Sequence, residues 1–110
     1  MAKLGTINFT GASGNRYEFN VYPFDTNFKS IGAVYVVTKR TPKAEGGANH
    51  TRIYIGETGD LSERFDAHHK AGCFQQNGAN CICTHRRDDE QTRLEIEADL
   101  LGDYDPPCND

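Results

Sequence analysis

Three polar side chains sit where the pattern of apolar residues leaves little room for them. At 100° per residue, Leu61, Arg64, Phe65 and His68 fall on one side of an expected helix. Leu61 and Phe65 are core material by type, whereas Arg64 and His68 beside them need partners or a chemical task. The third is Glu97. In a second expected helix, Leu94, Ala98 and Leu101 form an apolar centre that Leu100 and Ile96 extend to one side. Glu97 projects inside that arc, while Glu95 and Asp99 project to the opposite, polar side. A carboxylate within an apolar stripe is costly unless paired or metal-bound. Two readings of Glu97 stand side by side: a buried ion pair, to Arg64 for example, or a metal ligand or acid–base group in a cleft.

The elements that must position these residues are legible in order. Residues 5–10 are expected as a short strand, and 11–15 as a turn rich in Gly, Ser and Asn. Residues 16–24 alternate, with Tyr17, Phe19 and Val21 on one face and Arg16, Glu18 and Asn20 on the other, which completes a hairpin. Residues 31–38 are β-prone and apolar on both faces, as in a central strand. A Gly- and Pro-containing loop over 41–50 leads to the strand 52–56, an antiparallel neighbour. Asp60 and Glu63 form the pattern of a capping box at the start of the first helix, with Gly72 as its C-cap. Residues 74–80 are polar and irregular, 80–86 β-like, and 88–102 the second helix, closed by Asp105-Pro106-Pro107. The order β-β-β-β-α-β-α implies an α+β domain with a largely antiparallel sheet and packed helices.

Length and composition bound the function. One hundred and ten residues imply a single small domain. No apolar run approaches the roughly 20 residues needed to cross a bilayer. The first residues lack the apolar stretch of a signal peptide, so a reducing cytoplasm is expected, with no membrane partner. A net charge of −4 argues against a general nucleic-acid-coating protein but allows a local basic patch. Cys81-x-Cys83 is too tight for a usual zinc knuckle, so Cys73, Cys81, Cys83 and Cys108 are expected as reduced, buried or half-buried thiols rather than a metal site.

Taken together, Ala33-Val34-Tyr35, Tyr54-Ile55-Gly56, Arg64 with His68, and Glu97 followed by Pro107 and Asn109 resemble the GIY-YIG nuclease family. The likeness covers residues 31–109 and leaves 1–30 as an N-terminal hairpin addition. One departure is Ala33 in place of the name-giving glycine, with Gly32 one position earlier. The resemblance implies a central three-stranded antiparallel sheet flanked by helices and cleavage of DNA phosphodiesters with one divalent cation, Mg²⁺ or Mn²⁺. It implies Glu97 as the metal ligand and Arg64 as the phosphate-neutralising cation. Tyr35 would help to activate water, Tyr54 would position water or phosphate, and His68 would be an auxiliary base or phosphate contact.

The residue types suit such a reaction, which needs charge offset on phosphate oxygens and an activated water. A tyrosine base would need its proton affinity lowered by a nearby cation. Lys39, Arg40, Lys43 and Arg52 are candidates for a basic nucleic-acid-binding rim, with Arg86 and Arg87 as possible members. Tyr35, Tyr54, Arg64 and Glu97 are expected to converge on one cleft. The alternative is a catalytically idle domain that binds nucleic acid or a protein. Only the first alternative requires a cation at Glu97.

Overall fold

A computed structural model describes residues 3–63 and 68–109. The elements run β1 (Gly5–Thr10), β2 (Arg16–Pro23), β3 (Ala33–Pro42), β4 (Ala48–Thr58), α1 (Ala71–Gln76), β5 (Cys81–Arg86) and α2 (Glu90–Leu101). The chain is an α+β domain whose five strands form one antiparallel sheet in the order β1-β2-β5-β3-β4. The N-terminal hairpin thus extends the sheet by pairing β2 with β5. Ala33 to Thr38 are buried on both faces of β3, as its unbroken apolar run requires.

Each face carries its own core. On one, Phe9, Phe19, Val34, Val36, Ile55 and Cys83 pack under Ile96 and Leu100 of α2. On the other, Tyr35, Val37, Ile53 and Ile82 pack with Leu61, Phe74 of α1 and Cys108. Asp89 caps α2 by accepting the Thr92 N–H at 2.8 Å. On the far side of α2, Asp99 accepts hydrogen bonds from Ser13 Oγ (2.7 Å) and Tyr17 Oη (2.6 Å). The hairpin turn is thereby anchored to the helix.

Several expectations change. β3 and β4 run into the stretch read as loop, leaving only residues 43–47 as the connection. Gly46 and Gly47 take positive φ there, and Lys43 N–H bonds the Gly47 carbonyl at 3.1 Å. Pro42 is tolerated because β3 loses its neighbour β5 beyond Thr38 and becomes an edge. The capping box does not form in the expected way: Asp60 Oδ1 accepts the Ser62 N–H at 2.9 Å instead of the Glu63 N–H. Residues 61–63 and 68–70 of the expected helix are turn and bend, and the helix here is α1, starting only at Ala71; Arg64 and Phe65 lie outside the described residues. Gly72 is inside α1 rather than at a C-cap, and the stretch read as irregular holds the buried Phe74.

The stripe on α2 is also rotated. Leu94 and Leu101 are 42% and 36% exposed, whereas Arg93, Ile96 and Leu100 face the sheet. Asp99, read as part of the polar side, is tied to the hairpin. Arg93 supplies the reason for the rotation, since its charge is fully matched inside the fold.

Cys73 and Cys108 are joined by a disulfide, which overturns the reading of four reduced thiols. Cys81 and Cys83 are free and buried. No helix among the described residues is long and apolar enough to cross a membrane. The bridge ties α1 to a C-terminal tail that lies along the edge of β4. There Cys108 N–H bonds the Ile53 carbonyl at 3.0 Å, and the Asn109 amide makes two 2.8 Å bonds to the backbone of Ile55. The bridge closes a loop of sequence separation 35. Reduction by dithiothreitol should therefore lower unfolding free energy by about 2–4 kcal/mol. Urea denaturation with and without reductant measures this, and coincident curves would contradict a stapling role.

Candidate active site

The site grows from Gly56, where the β4 backbone is bare. A Cβ there would lie 2.7 Å from both Cζ and the hydroxyl of Tyr35, and 2.8 Å from Cε2 of Tyr54. Glycine is needed because two aromatic rings occupy the space that any side chain would take. Tyr35, paired with Gly56 across β3 and β4, lays its ring over that gap. Tyr54 stacks beside it with centroids 6.0 Å apart and planes at 29°. Phe74 supports the group from α1, 5.5 Å from the Tyr54 ring and 5.0 Å from the His68 ring.

His68 meets the tyrosines directly. Its Nε2 is 2.9 Å from the Tyr35 hydroxyl, and its Nδ1 accepts the Lys70 N–H at 3.0 Å. An Nδ1 that accepts a hydrogen bond carries no proton, so the neutral ring donates through Nε2 to the Tyr35 oxygen. Burial, then the charges of His69 and Lys70, lowers the His68 pKa and favours this neutral form. In this geometry His68 supports negative charge on Tyr35 and does not withdraw its proton.

Tyr35 itself is held protonated. Burial first, then nearby Tyr54, Glu97 and Glu57, pushes its pKa well above the ordinary tyrosine value. Tyr54 is raised by burial and by Glu97, and lowered by its hydrogen bond with Tyr35. A tyrosine base thus needs added positive charge before it can ionise.

Glu97 arrives from the opposite face. α2 packs on the other side of the sheet from Tyr35, and it lies against β3 and the edge strand β4. From there the Glu97 charge is near enough to raise the pKa values of both tyrosines. Glu97 is half-buried, and among the described residues no hydrogen bond or ion pair meets its carboxylate. Burial, then the neighbouring Glu57, raises its pKa. This is the environment of a carboxylate that a cation would stabilise. Among the described residues no group of three potential metal ligands gathers.

Two members of the site, Arg93 and its partner Glu57, were missed from sequence. Arg93 is 5% exposed; its Nε donates to Glu57 Oε1 at 2.9 Å, and its Nη1 to the carbonyls of Arg87 (3.0 Å) and Asp88 (2.9 Å). These bonds occupy Arg93 and leave Glu97, one turn later, without that cation. The spacing Arg93, Ile96, Leu100 was the available signal, had the arginine stem been counted as apolar.

The structure brings Tyr35, Tyr54 and His68 together at one end of the sheet. Glu97 stands on the helix that packs the other face and reaches the tyrosines as a neighbouring charge rather than in the one cleft expected, and Arg64 lies outside the described residues. The expected rim does not assemble around them. A register shift between Val37 and Thr38 sends Arg52 to the opposite face, where its guanidinium sits 3.8 Å from the Tyr104 ring centroid. Arg40 lies near His50 and Cys81. Lys39 shares the face of Tyr35 but stands four residues along β3, about 13 Å away.

Two outcomes follow from this geometry. Gly56→Ala must displace both tyrosine rings, at a cost of about 1–3 kcal/mol. Urea denaturation and the tyrosine near-UV signal should both change, and a variant as stable as the parent with an unaltered signal would contradict the contact. The second outcome concerns pH. Burial lowers the pKa values of His50, His68 and His85, so the unfolded chain takes up protons below about pH 6.5 that the native state resists. Their stabilising contribution is present above that pH and is lost as pH falls through the folded values. Glu97, with its raised pKa, acts in the opposite sense but is one group against three. The urea midpoint should be lower at about pH 5.5 than at about pH 7.5; an equal or higher midpoint would contradict the burial of these rings.

Comparisons with family models, with curated proteins and with solved structures find no match to this chain.

Proposed function

We propose that this domain is a metal-dependent endonuclease of the GIY-YIG type, hydrolysing DNA phosphodiester bonds. The observation that supports the reading is the Tyr35–Tyr54–His68 cluster with the charge of a half-buried Glu97 acting on both tyrosines. Mg²⁺ or Mn²⁺ would be held by Glu97, whose carboxylate feels the neighbouring charge of Glu57. A divalent cation supplies positive charge that offsets the charge gathering on the phosphate in the transition state.

The chain's own residues do the rest. Glu97 brings negative charge to the sheet edge and is itself relieved when that charge is matched. Tyr35, after giving its own proton to solvent, takes the attacking water's proton as the new P–O bond forms and the strand's bridging P–O bond breaks, the leaving oxygen taking a proton from solvent. The Nε2–H of His68 stabilises the tyrosinate by donating to its oxygen. Tyr54, in hydrogen-bond contact with Tyr35, orients water or phosphate at the same spot. Phe74 and the burial of Tyr35 keep bulk water from screening these charges. Arg64 is assigned to the phosphate, where a forked, permanent cation matches the oxygens. The competing reading is a binding module that uses the same cleft without cleavage.

The experiment is incubation of the protein with plasmid, branched and single-stranded DNA in Mg²⁺, Mn²⁺ or EDTA. Cleavage should require the cation. Glu97→Gln keeps size and removes charge, and should reduce the rate by about 10³-fold or more. Its urea midpoint should be no lower than the parent's, because ionised Glu97 is unfavourable in the fold at neutral pH. Glu95→Gln, on the exposed face, should cut at the parental rate. Undiminished cutting by Glu97→Gln, or no cutting by the parent on any substrate, would replace the enzyme with the binding module.

A further inference from the structure

The N-terminal hairpin does more than lengthen the sheet. Pairing places Gly56, Tyr35, Thr84 and Asn20 in one row across β4, β3, β5 and β2, so their side chains share the catalytic face. Alternation along the strands adds Arg16 from β2 and Arg86 from β5 to that face. Arg87 follows directly, with its N–H held by the Gly32 carbonyl at 3.0 Å and its own carbonyl held by Arg93. Of these, Arg16, Asn20, Thr84, Arg86 and Arg87 line a groove of about 470 Å³ that begins one strand away from Tyr35, beside the ends of β2 and β5, and also takes in Tyr17 from the other face. Its charge is positive: three arginines face the single carboxylate of Glu18. The Arg86–Asp88 pair, at 3.6 Å and with both side chains largely exposed, is too weak to occupy Arg86. His85 also borders the groove; it is 8% exposed and its Nε2 has no hydrogen-bond partner.

We infer that this groove, built by joining β2 to β5, binds the sugar–phosphate backbone of the DNA strand flanking the cleaved bond. The inference rests on the nuclease reading and adds the element that selects substrate. Charge complementarity favours a polyanion over a neutral peptide. Position favours the substrate itself, because the row leads from Tyr35 into the groove without leaving the face. Two strand spacings separate Tyr35 from Asn20, about 10 Å, which spans about three base steps of a DNA strand. Arg16, Arg86 and Arg87 supply forked donors for phosphate oxygens, and Asn20 and Thr84 supply shorter polar groups. The domain is acidic overall, so a basic groove on this one face also sets which side a DNA strand approaches.

Binding is measured in EDTA, without cleavage, by fluorescence anisotropy of a labelled short DNA duplex over a range of salt concentrations. Parent protein, Arg16→Ala/Arg86→Ala, Arg16→Lys/Arg86→Lys and Lys3→Ala are compared. The alanine pair should bind about tenfold more weakly or worse, and its slope of log affinity against log salt should be shallower by about 2. The lysine pair should restore most of the slope, and Lys3→Ala should match the parent. Both arginines are exposed, so thermal unfolding of the alanine pair should equal that of the parent. With Mg²⁺ present, the alanine pair should raise KM and leave kcat unchanged. If the parent binds and cuts but the alanine pair keeps parental affinity and slope, the groove is overturned and the nuclease stands. If the parent neither binds nor cuts, both are overturned.

Discussion

A guanidinium buried between strand and helix sets the geometry on which the site depends. Arg93 joins Glu57 at the end of β4 to the carbonyls of Arg87 and Asp88 ahead of α2. Gly32 leaves the room: a Cβ there would come within 2.5 Å of Arg93 Nη1. Truncating one partner of a buried pair leaves the other charge unmatched, at a cost of about 3–5 kcal/mol. α2 is therefore held in one rotational phase, with Arg93, Ile96 and Leu100 toward the sheet. That phase brings Glu97 to the edge of β4, where its charge reaches Tyr35 and Tyr54. The same bonds fix the turn carrying Arg86 and Arg87, so one side chain organises both the carboxylate end and the basic groove.

The site combines groups that oppose one another in the absence of a cation. Burial and two carboxylates hold the Tyr35 proton on, while a neutral His68 donates to the oxygen that would bear the charge. Arg93 is occupied by Glu57 and carbonyls, so it does not relieve Glu97. A cation held by Glu97, as proposed, would match the carboxylate and lower the cost of ionising the tyrosine together. Such coupling gives the chain a reason to keep an unfavourable carboxylate at the sheet edge.

The N-terminal hairpin, the pairing of β3 with β4 and the long, strongly patterned elements were legible in the sequence, whereas the insertion of β5 between β2 and β3 was not. The unbroken apolar run of β3 marked an interior strand, and the alternation of β2 marked a half-exposed one. Glu97 stood out as a misplaced carboxylate, even though the stripe used to find it was rotated by roughly a third of a turn. The rotation escaped notice because a periodicity argument counts arginine as polar, and Arg93 carries its partners with it. Arg52 was expected in a basic rim, and the extra residue in β4 opposite Val37/Thr38, which no local pattern signals, turns it to the other face. The α1 helix is short and poor in apolar residues, so Phe74 gave only an isolated signal. The Cys73–Cys108 bridge joins positions that only the folded tail brings together, and no local pattern announces it.

The central claim is that Glu97 and Tyr35 share one cation-dependent site. Its most direct test is site-resolved NMR of the Glu97 carboxyl carbon and the Tyr35 ring, titrated with pH and then with Mg²⁺. Without metal, Glu97 should titrate above an ordinary glutamate. Added Mg²⁺ should lower that pKa and shift the Tyr35 and Tyr54 ring signals with the same apparent affinity. An ordinary Glu97 titration with no response of either tyrosine to Mg²⁺ would contradict the account.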